Sequence, residues 1–183
     1  MTSAASVSGD ERIRLFLALR LPDDVLDEVE RWQIAQLAGV RVVSREHLHV
    51  TLAFLGHQPA SELESIVGVL RDAARRAGKI RLTPSRYRET RSVGMLVLED
   101  EGGRAALLAA DVQERLEGLG AYRREGRPWL PHLTVARWRE RPRLRLEPPP
   151  VRTFVPSDAA AYLSRLHPDG ARYEVLESVA LGG

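Results

Sequence analysis

Hydrophobic and polar positions change period several times along the chain. Residues 13–19 form an apolar run of strand length that ends before Pro22. Pro22 suits a first helical turn, Asp23 and Asp24 favour its positive end, and Val25, Val29 and Trp32 recur at helical spacing. The spacing predicts a helix over 23–38, closing before Gly39. A β-rich run follows over 48–55 and stops at Gly56. Ser61 with Glu64 then makes a capping-box pattern for a helix reaching Ala77, with Gly78 placed to end it.

The second half repeats the order. A strand is predicted over 93–98 and a turn over 100–103. A helix carrying Leu107, Leu108, Val112 and Leu116 comes next, then a strand over 133–138. Residues 160–166 and 172–176 flank Pro168-Asp169-Gly170, a hairpin signal. Strand, helix and strand thus occur twice, the mark of an internal duplication. The fold class expected is α+β, with two small, mainly antiparallel sheets flanked by helices around a central cleft. Residues 1–11 read as a disordered N-terminal tail rather than a signal peptide, and 12–183 as one bilobal domain.

Composition narrows the chemistry. The chain of 183 residues has no cysteine, which excludes a disulfide framework, a thiolate metal site and a cysteine nucleophile. That fits a cytoplasmic location. No window approaches the roughly 18 apolar residues of a membrane-spanning helix, so no membrane partner is expected. Of the 27 basic residues all but Lys79 are arginines. Arginine forks bind phosphate and stack on bases, but a biased genome composition would produce the same count.

The sharpest signal is a repeated tetrad, His49-Val50-Thr51-Leu52 and His132-Leu133-Thr134-Val135. Two such His-x-Thr occurrences arise by chance about once in a hundred shuffled chains, and these two fall at equivalent points of the duplicated unit. On a strand, alternation turns each His and Thr to one face and the apolar residues to the other. Facing lobes would gather two imidazoles and two hydroxyls in one cleft. One neutral imidazole can take a proton while one imidazolium gives one, and hydroxyls can bond the nonbridging oxygens of a phosphodiester. That scheme needs no metal.

These segments resemble the 2H phosphoesterase superfamily, and within it the RNA 2′,3′-cyclic phosphodiesterases formerly called 2′-5′ RNA ligases. Residues 14–22 are similar to the family's opening strand, 48–56 to its first motif, 131–137 to its second, and 163–176 to its closing hairpin. The resemblance implies a bilobal fold with a pseudo-twofold axis and hydrolysis of a 2′,3′-cyclic phosphate to a 2′-phosphomonoester, without metal or other cofactor. It places the proton donor on His49 and the acceptor on His132. Thr51, Thr134 and Arg137 would bind phosphate. Five residues separate Arg137 from His132, so regular alternation would aim it at the wrong face unless a twist, bulge or strand end intervenes.

Several residues carry open alternatives. His47 stands where the family usually has another polar residue; with His49 it gives a His-x-His spacing seen in zinc hydrolases, or it is a substrate contact or a bystander. His57 and His167 read as surface residues. Arginines at 137, 139, 141, 143 and 145 would line an RNA track or a solvated edge strand interrupted by Pro142. Arg123, Arg124 and Arg127 are better placed for contacts near the cleft. Trp129 and Phe16 could stack a base or sit in the core. The expected partners are RNA ends or nucleotides bearing a cyclic phosphate, bound by a monomer. A 2′-5′ RNA ligase running the same chemistry backwards and a noncatalytic RNA-binding module are the alternatives.

Overall fold

The computed structural model describes residues 11–182. The expected tail lies outside them except for Glu11, whose carbonyl accepts a hydrogen bond from the Ala60 amide at 2.8 Å. Strand β1 (Arg12–Arg20) leads to helix α1 (Asp23–Gln36), the short strand β2 (Arg41–Val42) and strand β3 (Val50–Pro59). Helix α2 (Leu63–Arg76), strands β4 (Leu82–Glu89) and β5 (Val93–Asp100), helix α3 (Arg104–Gly118) and strand β6 (His132–Arg137) follow. The hairpin β7 (Asp158–His167) and β8 (Gly170–Val179) completes the described chain.

Two four-stranded sheets result, ordered β3-β1-β7-β8 and β2-β6-β5-β4, and every pairing is antiparallel. The duplication is visible in the ladders: β1 pairs with β3 in one sheet as β5 pairs with β6 in the other. Leu15, Leu17 and Leu19 point from β1 into the core, and Leu96 and Leu133 do so from β5 and β6. Each such leucine contributes about 2 kcal/mol by leaving water. Helix α3 packs on β3 and against α2, whereas α1 lies over the second sheet, with Trp32 donating its indole N–H to the Glu147 carbonyl at 2.9 Å. Helix α1 therefore follows a strand of the first sheet yet covers the second, and α3 follows a strand of the second yet packs on the first.

Several local expectations differ. Helix α1 stops at Gln36 because Leu37 turns out of helical geometry to fill the core, and Gly39 takes the positive φ of the turn. Ser61 and Glu64 form no capping box: a 3₁₀ turn over Ala60–Glu62 occupies that place, and Glu64 pairs with Arg71 instead. Helix α2 ends on an extended Ala77 rather than on Gly78, and the Gly182 amide satisfies the Ala74 carbonyl at 2.8 Å. Residues 138–150 form no edge strand. The buried Glu89 carboxylate holds that loop, accepting from Arg141 and from the Arg143 and Leu144 amides. Of the apolar residues named on α3, Leu108, Val112 and Leu116 are buried and Leu107 is exposed on the outer face.

Candidate active site

Each His-x-Thr tetrad sits at the start of a strand, and each strand carries a bulge at the same point. In the β1 to β3 ladder Ala18 pairs with Thr51 and Leu17 with Ala53, so Leu52 is the extra residue. In the β5 to β6 ladder Met95 pairs with Thr134 and Gly94 with Ala136, which leaves Val135 as the extra one. A one-residue bulge reverses the parity of everything beyond it. Burial follows: from His49 to Phe54 and from His132 to Arg137 the pattern is identical, half-buried, buried, half-buried, buried, buried, exposed. The bulge thus answers the parity problem of Arg137, which lines the same cleft as His132 and Thr134. Phe54 is its counterpart, also five residues beyond a histidine and also in the cleft.

The cleft, of about 630 Å³, holds His49, Thr51, His132, Thr134 and Arg137 together. The two imidazoles are locked alike. His49 Nδ1 lies 2.8 Å from the His47 carbonyl, and His132 Nδ1 lies 2.8 Å from the Leu130 carbonyl. A carbonyl oxygen only accepts, so each Nδ1 carries a proton and each Nε2 is left for chemistry. His49 Nε2 is 3.0 Å from the Thr51 hydroxyl, which donates to it while the ring is neutral. His49 is packed against Phe16, at 4.9 Å between ring centroids, and against Tyr162 and Tyr173. This burial pushes its pKa down to about 4, and the positive neighbours His132, His47 and Arg137 act in the same direction against the bond to the His47 carbonyl.

Phe16 is buried, stacked on Tyr162 at 4.7 Å, so it forms the floor under His49 rather than an open stacking surface. His47 packs on Tyr173 at 4.4 Å and lies 3.4 Å from the Ser44 hydroxyl. The zinc reading finds no third ligand, since among the described residues no group of three His, Cys, Asp or Glu side chains is arranged to hold a metal ion. Arg127 and Trp129 line a second cavity of about 680 Å³ that shares Thr51, Phe54 and His132 with the first. Trp129 donates its indole N–H to the Thr51 carbonyl at 3.0 Å, and exposed Arg127 pairs with Glu125 at 2.7 Å. Arg139, Arg141, Arg143 and Arg145 line neither cavity. His57 and His167 are exposed.

Three more cleft residues escaped the sequence reading. Arg14 lies over the Phe54 ring at 4.8 Å. Arg41, on β2, stands directly across the ladder from Arg137, a like-charge pair that costs stability and suits an anion. Arg172 joins them from the closing hairpin. Phe54 could have been found from its offset from His49, which equals that of Arg137 from His132. Nothing local marks Arg14, Arg41 or Arg172 among so many arginines.

This site has recognisable relatives. A family model described as the 2′-5′ RNA ligase superfamily matches residues 21–167. An RNA 2′,3′-cyclic phosphodiesterase of Thermus thermophilus is 34% identical over 183 residues, covering 93% of this chain and 91% of its own. One from Methanocaldococcus jannaschii is 27% identical over 127 residues, 68% of this chain and 71% of its own. A solved structure from Thermus thermophilus is 31% identical with a TM-score of 0.78, covering 93% of this chain and 99% of that one. E. coli LigT complexed with NADP+ is 25% identical with a TM-score of 0.80, covering 94% and 99%. The chain belongs to the 2′-5′ RNA ligase superfamily, a group of 2H phosphoesterases.

Proposed function

We propose that this chain hydrolyses RNA or nucleotide 2′,3′-cyclic phosphates to 2′-phosphomonoesters by two-histidine acid and base catalysis without a metal ion. The observation that carries the reading is the matched pair of imidazoles, each fixed through Nδ1–H on a carbonyl two residues upstream so that Nε2 is the nitrogen left for proton transfer, in one arginine-lined cleft with Thr51 and Thr134. The names of the relatives agree with it.

In this mechanism His132 Nε2 takes a proton from water as the water oxygen bonds to phosphorus. The bond from phosphorus to O3′ breaks, and His49 Nε2–H delivers its proton to that oxygen. Thr51, Thr134 and Arg137 donate to the nonbridging oxygens, whose charge grows in the five-coordinate transition state. His49 is neutral in the free protein at pH 7, so it must gain its proton with the substrate. The phosphodiester anion supplies the reason, because its charge favours the protonated ring against the burial, and secondarily the Arg137 charge, that hold the pKa down. Thr51 then turns its hydroxyl from Nε2 to phosphate.

The test is end-group analysis of the product from an oligonucleotide ending in a 2′,3′-cyclic phosphate. A 2′-phosphate is expected, formed equally well in excess EDTA. His49→Ala and His132→Ala should each lower kcat by at least about a hundredfold. Full activity in either variant, or activity lost to EDTA and restored by zinc, would overturn the reading. Ligation is the same displacement with a 5′-hydroxyl in place of water: its oxygen bonds to phosphorus, the bond from phosphorus to O3′ breaks, and a 2′-5′ link results. The second cavity, which also reaches His132, gives such a strand end a place to lie. Joining of end-labelled RNA halves through a 2′-5′ bond distinguishes the two nucleophiles.

A further inference from the structure

Among the described residues Gln33, Gln113 and Ser164 are the polar residues buried as a whole, beside the buried carboxylate of Glu89. The two glutamines do related things. Gln113, on α3, donates from Nε2 to the Leu52 carbonyl at 2.8 Å. Gln33, on α1, donates from Nε2 to the Val135 carbonyl at 2.9 Å and to the Val43 carbonyl at 2.9 Å. Leu52 and Val135 are the bulged residues that directly follow the two His-x-Thr motifs, with a further bulge at Leu55 later in β3.

We propose that Gln33 and Gln113 are positioning residues for the active site, each holding open the bulge that turns Arg137 or Phe54 into the cleft. A bulged residue falls out of the ladder, so its buried carbonyl turns to donors outside the pair: that of Leu52 takes Gln113, and that of Val135 takes Gln33 together with the Val43 amide at 2.9 Å. Without its glutamine the Leu52 carbonyl loses that donor, and in the other strand the Val43 carbonyl loses its side-chain donor and the Val135 carbonyl one of two, which favours a rearrangement that finds new partners, the simplest being a regular ladder. In a regular ladder the parity beyond Thr134 reverses, and Arg137 leaves the phosphate site. The same holds beyond Thr51 for Phe54. The arrangement is reciprocal between the lobes, because α1 precedes β3 in the chain yet braces β6, while α3 precedes β6 yet braces β3. Gln33 lines neither cavity, Gln113 reaches the second but not the first, and each acts through the backbone it bonds.

The proposal rests on the catalytic reading for its activity test, but phosphate binding checks it separately. Gln33→Met keeps side-chain size and removes the donor. Inorganic phosphate affinity, measured by calorimetry, should fall by about tenfold in Gln33→Met and in Arg137→Ala, and no further in the double variant. With a cyclic-phosphate oligonucleotide the kcat/KM losses should overlap in the same way. Independent losses that multiply in the double variant would show that Gln33 does not act through Arg137, and overturn the proposal. Absence of turnover in the wild type, with the phosphate cycle intact, would overturn the catalytic reading alone.

Gln113→Glu gives a second test that does not depend on how Gln33→Met folds. Its neutral carboxyl can donate to the Leu52 carbonyl in place of Nε2, whereas the carboxylate cannot. Activity near wild type at acidic pH, falling along a new limb as the carboxyl ionises, is expected. An activity profile that follows the wild type across the range would count against the proposal.

Discussion

His49 concentrates the energetics of the site. It is a basic group packed between three aromatic rings, with its charged form disfavoured first by burial and then by cationic neighbours. Its folded pKa of about 4 lies below the ordinary value of 6.5. Between those two the unfolded chain binds a proton that the folded chain does not. Stability is therefore full above pH 6.5, falls as the pH drops toward 4, and takes no further loss from this group below that. The contribution is about 3 kcal/mol. Urea unfolding at a series of pH values should show this dependence in the wild type and lose most of it in His49→Gln; an identical pH dependence in the two proteins would refute it. NMR titration should find the His49 ring midpoint near 4 in the free protein and higher in saturating phosphate. The identity of His49, Thr51, His132 and Thr134 was legible in the sequence because a rare pattern recurs at equivalent positions. The depressed pKa was not, because it comes from Phe16, Tyr162 and Tyr173, which only the sheet brings around the ring.

At the scale of elements, the strands and helices with strong periodicity fall where the residue pattern predicts them. The two-residue β2 and the half-exposed β4 have too little pattern to announce themselves. Capping was read less well. Ser61 has the residue type of a cap, yet helix α2 is entered through a 3₁₀ turn that takes its place. Helix α3 is instead capped from its preceding strand, where Asp100 accepts from the Ala105 and Ala106 amides at 3.0 and 2.8 Å. Asp100 is five residues before Ala105, with Gly102 and Gly103 at positive φ between them, so no standard spacing marks it. Asp100→Ala should cost about 1 kcal/mol, read as a lowered urea midpoint with an unchanged slope. The bulges at Leu52 and Val135 matter most and were not predictable as such. The sequence raised only the question, through the five-residue offset of Arg137, and the ladder register answers it.

Over the whole molecule, duplication produces a cleft with two halves meeting at Thr51, Phe54 and His132. One half is walled by the first sheet and the closing hairpin, where Gly170 lies so close to Arg41 of the other sheet that an added Cβ would stand 3.1 Å from its guanidinium. The other half is walled by the second sheet and the loop before β6, with an apolar surface on Met95 and Trp129 and exposed Arg88 at its rim. Glu89, the chain neighbour of Arg88, is occupied by Arg141 and the loop it anchors. A mononucleotide bearing the reacting phosphate at the histidines can fill one half only. An oligonucleotide can place its terminal nucleotide in one half and the adjoining phosphate near Arg88 in the other. Wild-type kcat/KM should therefore be about tenfold higher for a short cyclic-phosphate oligonucleotide than for the mononucleotide, and that ratio should fall toward one in Arg88→Ala. In the same variant the salt dependence of oligonucleotide binding should weaken by about 0.7 in the log-log slope, the share of one phosphate that Arg88 no longer neutralises. A ratio of one in the wild type, or a ratio and slope that Arg88→Ala leaves intact, would mean that the second half of the cleft does not hold the RNA chain.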